Sequence, residues 1–202
     1  MANIAAIASV GRSLMTYLDN AYRNSLFPNG VTRPECAFAL VSSGQVHDEN
    51  DPGQSAVRVV ISLYRVTTNA HLRTAGRPTA PEMRPPPLSL DLHYLLSFWS
   101  ESPGNEHLVL AWTMRQLHLN PVLDASTLTQ EANWNVEDVV QLIPEELSTE
   151  DLMRIWDTFT PKYRLSVSYI ARVVRLDPDA LDFEHGPVVA TRFDYAAPAP
   201  PP

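Results

Sequence analysis

The stretch Leu88–Trp99, LSLDLHYLLSFW, decides how this chain folds. Its even positions are Leu88, Leu90, Leu92, Tyr94, Leu96 and Phe98; its odd positions include Ser89, Asp91, His93 and Ser97. A period of two is the signature of a β-strand with one apolar and one polar face. The polar face lines up serine, aspartate and histidine, the residue types of a hydrolytic relay. Neighbours on that face stand roughly 6.5–7 Å apart, and Asp91 lies between Ser89 and His93, the wrong order for a Ser–His–Asp chain. No G-x-S-x-G turn occurs to present a nucleophile. The favoured reading is a polar sheet face, solvated or in a subunit contact. A hydrolase-like enzyme using Asp91, His93 and a nearby serine is the alternative, as is a monomeric adaptor or ligand-binding module.

Working outward, VRVVISLYRV at 57–66 is apolar on both faces, with Val57, Val59, Ile61 and Leu63 on one and Val60, Tyr64 and Val66 on the other. It reads as a central strand. The two strands are joined by a polar, proline-dense connector over 67–87. Upstream, Ile4, Ile7, Leu14, Tyr17, Leu18 and Ala21 mark a helix over 3–24, with Gly11 weakening its stripe. CAFALV at 36–41 suits a short strand within an irregular region, 28–55.

Downstream, Ser102 and Pro103 open a helix in N-cap and N1 roles. It carries Leu108, Ala111, Met114, Arg115 and Leu117 and stops before Pro121. VEDVVQLI at 136–143 suits a short strand. Ser148, Glu150 and Asp151 open a further helix, with Leu152, Ile155, Trp156 and Phe159 as its stripe. The last strand, 166–176, sets Val167, Tyr169, Ala171 and Val173 against Ser168, Arg172 and Leu176. The expected fold is α/β (α+β), a single mixed sheet flanked by helices. One domain spans 1–180, followed by an extension over 181–202 with a disordered, proline-rich tail.

Composition narrows the function. Fifteen basic residues against 23 acidic give a net charge of −8, which disfavours nonspecific binding to nucleic acid or anionic membranes. Every basic residue but Lys162 is arginine, the residue favoured at protein interfaces. A single cysteine, Cys36, excludes an intramolecular disulfide and a multi-cysteine metal site. The start, MANIAAIASVGRSL, has no basic n-region and no long apolar core, and no run reaches the roughly 20 apolar residues of a membrane span. The expectation is a soluble protein made in the cytoplasm. The six histidines are scattered; His107 and His118, three helical turns apart, are separated by roughly 16 Å. HDENDPG at 47–53 lacks the ligand spacing of a calcium loop. Trp134, in QEANWNVED, is the tryptophan placed for contact; Trp99, Trp112 and Trp156 sit among core positions. No glycine loop fits a nucleotide, so neither a cofactor, a metal site nor a catalytic residue is expected.

The run ISLYRVTTNAHLRTAGRP, followed by PPLSLDLHYLLSFW, resembles the tail-terminator or cap proteins of contractile injection systems. These are phage-tail-like particles that include the Photorhabdus virulence cassette and the antifeeding prophage. The helix from Glu106 to Pro121, the tryptophan helix LMRIWDTF at 152–159 and the strand SVSYIARVVRLD fit the same pattern. Leu72–Arg73–Thr74 stands where Leu-Arg-Asn is usual in the family. The resemblance implies a structural cap without catalysis: a hexameric ring on the inner tube, at the end away from the baseplate, that couples sheath to tube. It implies contacts with the tube protein and the sheath protein, the latter by strand exchange, and a place in an assembled particle, cytoplasmic, membrane-docked or released. Neither nucleic acid nor direct membrane insertion is implied. For subunit and tube contacts the expected residues are Arg65, Asn69 and Arg73 in and beside the 67–87 connector, with Asp91 and His93 on the opening strand.

Overall fold

The computed structural model describes residues 2–28, 30–42, 45–46, 56–69, 87–160 and 162–177. Most of the proline-dense connector, with Arg73, lies outside the described residues. So do the acidic loop 47–53, His185 and everything past Asp177, including the domain division at 180.

The chain runs α1 (Ala6–Asn24), β1 (Glu35–Leu40), β2 (Ala56–Thr68), β3 (Leu88–Trp99), α2 (Pro103–Leu119), β4 (Val122–Leu123), β5 (Val140–Glu145), α3 (Thr149–Trp156) and β6 (Ser166–Leu176). One six-stranded sheet has the order β1-β2-β3-β6-β5-β4. β1 runs parallel to β2 and every other pair is antiparallel. The expected mixed sheet with helices is what forms, with β3 near its centre. The strand expected at 136–143 begins four residues later. Asn133, in the left-handed region at φ 52°, and the turn closed by Asn135 N–H to Asp138 Oδ2 at 2.7 Å take up the intervening chain. Pro144 can enter β5 because its missing N–H costs no bond on a strand edge.

Each face of the sheet has its own core. On one, Leu90, Leu92, Tyr94, Leu96 and Phe98 of β3 pack with Val57, Val59 and Ile61 beneath α1 and α2. On the other, Val60, Leu95 and Trp99 pack with Val46 and with Trp156 of α3. Trp156 meets Phe159 and Tyr163 edge-on, at ring-centroid distances of 5.4 and 5.7 Å, and the Arg164 guanidinium lies 4.9 Å from the Trp99 ring centre. α3 is fixed at its start by Ser148, whose Oγ accepts the Asp151 N–H at 3.1 Å.

The helices bury different stripes from those the apolar residues suggest. In α1 the wholly buried row is Ala6, Val10, Leu14, Leu18 and Tyr22, four residues apart, while Ile4 is 89% exposed. Ser9, Gly11 and Ser13 share the buried side because α1 sits close to the sheet. A Cβ on Gly11 would stand 3.1 Å from a methyl of Leu40 and 3.3 Å from the Tyr94 hydroxyl. The glycine is therefore the point of closest approach and not a weakness in the stripe. In α2 the buried row is Val109, Thr113 and Leu117, and Met114 faces solvent. Apolar residues are spread around that helix, so periodicity alone assigns no face.

Gly11→Val is expected to lower stability by about 1–3 kcal/mol through overpacking against buried Tyr94, measured as a lower urea midpoint.

Candidate functional site

The polar face of β3 is buried inside the subunit, against the expectation of a solvated or contact-forming face. Ser89 is 8%, His93 4% and Ser97 2% exposed. Part of the cover is the second core around Trp99 and Trp156. The rest is a polar network made possible by two breaks in strand register.

The first break is in β2. Leu63 pairs with Tyr94 and Arg65 with His93, so Tyr64 is an extra residue opposite no partner. Beyond this bulge the alternation of β2 inverts. Arg65 and Thr67 join the face that Val60, Ser62 and Tyr64 occupy, while Val66, expected beside Tyr64, moves to the other face opposite Leu92. The second break is in β6, where Ala171 pairs with Leu92 and Val174 with Leu90. Arg172 and Val173 together oppose Asp91, and Val174 takes the core position expected of Val173. Val173 sits at φ +62°, a left-handed conformation that costs a β-branched residue about 1–2 kcal/mol.

Asp91 answers this second bulge. Its Oδ1 accepts the Val173 N–H at 3.1 Å, a donor displaced from the regular ladder. Its two oxygens also accept the Asn69 amide at 3.2 and 3.1 Å, and the Asn69 N–H donates to Ser89 O at 2.9 Å. Asp91 and Asn69 thus meet, as two of the expected contact residues, but they bond within the subunit.

Four donors converge on Glu145, at the end of β5. They are the Tyr64 hydroxyl at 2.6 Å, the Ser168 hydroxyl at 2.8 Å, Arg65 Nη2 at 3.0 Å and His93 Nδ1 at 3.0 Å. One hydrogen assignment satisfies the imidazole: Nδ1–H donates to Glu145, and Nε2 accepts from the Thr67 hydroxyl at 3.0 Å. Burial works to raise the Glu145 pKa, but the bonds from Tyr64, His93 and Ser168 outweigh it and hold the carboxyl below its usual value. Burial pushes the Tyr64 hydroxyl up to about 12, and its bond to Glu145 adds to the rise. Of this network Arg65 is the member open to solvent, its side chain 51% exposed.

Thr67, His93 and Glu145 share the order hydroxyl, imidazole, carboxylate. The hydroxyl is secondary and rides on a regular strand, and both carboxylate oxygens are shared with other donors. His93 reaches Glu145 and Asp91 turns away to Asn69, so the Ser89–Asp91–His93 series is no relay. Trp134 is also not free for contact: its Nε1–H donates to Ser9 Oγ at 2.8 Å, and its ring packs on the core. The Cys36 thiol is pushed up to about 12 by burial, with Asp19 adding to the rise, which keeps it protonated. Among the described residues no three His, Cys, Asp or Glu side chains gather to hold a metal ion, and no helix is long and apolar enough to cross a membrane.

A family model for the Pvc16 N-terminal domain matches residues 9–190. The chain belongs to this family. Two solved structures share its fold. One is the sheath/tube terminator of an extracellular contractile injection system, PVC, in the extended state, 19% identical with a TM-score of 0.53. The other is the tube-terminating cap of the anti-feeding prophage, 16% identical with a TM-score of 0.54. Each likeness covers 96% of this chain, which spans 64% and 62% of the two terminators, a little under two thirds of either. No curated protein matches it. As a member of the Pvc16 N-terminal domain family, the chain carries the resemblance read from LYRV and LDLHYLL.

Glu145→Gln is expected to cost about 1–3 kcal/mol near neutral pH, because an amide cannot accept all four donors. The wild-type carboxyl has a lowered folded pKa, so its contribution is complete above the unfolded value near 4.5 and lost as pH falls through the folded pKa. Urea midpoints measured from pH 7 to pH 3 should fall less steeply below pH 4.5 in the variant. Asp91→Ala leaves the Val173 N–H unpaired and is expected to cost about 1–3 kcal/mol, read from the same titration at pH 7.

Proposed function

We propose that this chain is a structural cap of a contractile injection system, terminating the inner tube and sheath at the end away from the baseplate. The observation that carries the reading is a fold shared over 96% of the chain with two solved terminators, joined to a family match over residues 9–190. The chain works as a hexameric ring that couples sheath to tube, as part of an assembled extracellular particle, and without catalysis. The buried polar network supports this, since its hydroxyls, imidazole and carboxylate are occupied with one another.

Arg65 is the residue of the network offered to a tube or subunit contact. His93 holds it through Glu145, and Asn69 and Asp91 hold the Val173 bulge across β3; Arg73 is proposed with them from sequence alone. A sheath strand has a place to add. β1 pairs with β2 only from Ala56 to Ile61, and among the described residues no strand pairs with the outer edge of β2 from 62 to 68. An added extended strand would use that backbone.

Cryo-EM of particles assembled from the cognate tube, sheath and baseplate proteins tests the reading. The chain should appear as a ring at the baseplate-distal end, and leaving it out should give tubes of uncontrolled length. Particles of normal length that never carry the chain would overturn it. A cysteine at Val66, which is 44% exposed, should cross-link to sheath protein in the assembled particle.

A further inference from the structure

The bulge at Val173 has a second effect. Ala171 and Val174 both lie on the helix-covered face, so Arg172 and Val173 between them turn to the other face, and Arg175 follows by alternation. An unbroken strand would put Arg172 and Arg175 on opposite faces. Here a strained backbone gathers both arginines at one cavity of about 270 Å³, together with Trp134, Val139 and Gln141. Among the described residues neither guanidinium has an ion-pair or hydrogen-bond partner. Two carboxylates line the same cavity, Glu137 and Asp138, and offset the arginines' charge, but neither bonds a guanidinium. Asp138 caps its own turn through the Asn135 N–H, so the guanidinium donors are open to directed bonds. Exposed Val136 and Val139 extend the lip with apolar surface.

The complement lies at the other end of the same strand pair. Gln141 of β5 faces Arg172 at the cavity end, and β5 leaves the opposite end at Glu145, roughly 13–14 Å away by strand rise. The segment that follows, Glu146–Arg154, presents exposed Glu146, Glu150 and Asp151, with Arg154 at its far end. Among the described residues Glu150 pairs with Arg154 alone, in a bridge whose two side chains are 74% and 72% exposed, and such a bridge is easily exchanged. Two arginines with an acidic rim thus stand opposite three acids with one arginine, at the two ends of one β-ribbon. Patches so placed are used head to tail, giving a heterologous interface that closes into a ring or continues as a filament.

We propose that the Arg172–Arg175 cavity binds the Glu146–Asp151 segment of a second copy of this chain. The guanidiniums receive carboxylates in directed, charge-assisted bonds, and the apolar lip of Val136 and Val139 supplies the contact around them. This interface rests on the cap reading only in that a ring requires one.

Sedimentation velocity of the purified full chain tests it. The wild type should associate with rising concentration, and the association should weaken as salt rises. Arg172→Glu with Arg175→Glu should weaken it at least tenfold, as should Glu146→Arg with Glu150→Arg. Mixing the two double variants one to one should restore association, since each keeps the patch the other has lost. Arg172→Gln with Arg175→Gln removes the charge without reversing it, and circular dichroism confirms that each variant is folded. A monomeric wild type, association insensitive to salt, variants that associate normally, or a mixture that stays monomeric would each overturn the interface. Arg172→Glu with Arg175→Glu that still forms end rings on tubes overturns this interface and leaves the cap reading standing. Association through these patches in a protein never found on tube ends does the reverse.

Discussion

Two extra residues, Tyr64 in β2 and one in the Arg172–Val173 pair of β6, flank the central strand from either side, and the layout of one whole face depends on them. A strand's side chains alternate strictly, so an added residue inverts everything beyond it. The first bulge brings Arg65 and Thr67 to His93. The second places Arg172, Val173 and Arg175 together and gives Asp91 a displaced N–H to accept. Without the first insertion Tyr64 would stand opposite His93 and Val66 opposite Asp91, and Arg65 would turn to the other face, so Glu145 would lose one of its four donors.

The network that results is held by saturation. Glu145 is only 12% exposed at its side chain, and a buried carboxylate persists when its lone pairs are filled. It joins β2, β3, β5 and β6 at one point, where the second core around Trp99 and Trp156 gives out. The same face is therefore apolar at one end, polar and saturated in the middle, and open with unpaired arginines at the other.

The elements themselves were legible. The alternation of LSLDLHYLLSFW, the apolar run VRVVISLYRV and the Ser102–Pro103 and Ser148 starts placed β3, β2, α2 and α3 within a few residues, because those signals are local. The buried faces of α1 and α2 were not, since small residues at Ser9, Gly11 and Ser13 pack closely and leave no hydrophobic mark. At the site, His93, Asp91, Arg65 and Asn69 were singled out for contact; the structure joins them in two internal groups. Glu145, Tyr64, Thr67 and Ser168 were missed because they lie up to 104 residues from one another and no local pattern links them.

What the sequence by itself determined is the order of strands and helices, the apolar face of β3 and the likeness to terminators, all carried by residues a few positions apart. Tertiary structure alone decided what the polar face of β3 is for. That depended on where two strands each take in one extra residue, a choice made by packing and by the bonds Asp91 and Glu145 can form across the sheet. The period of two has no means of announcing where it will break.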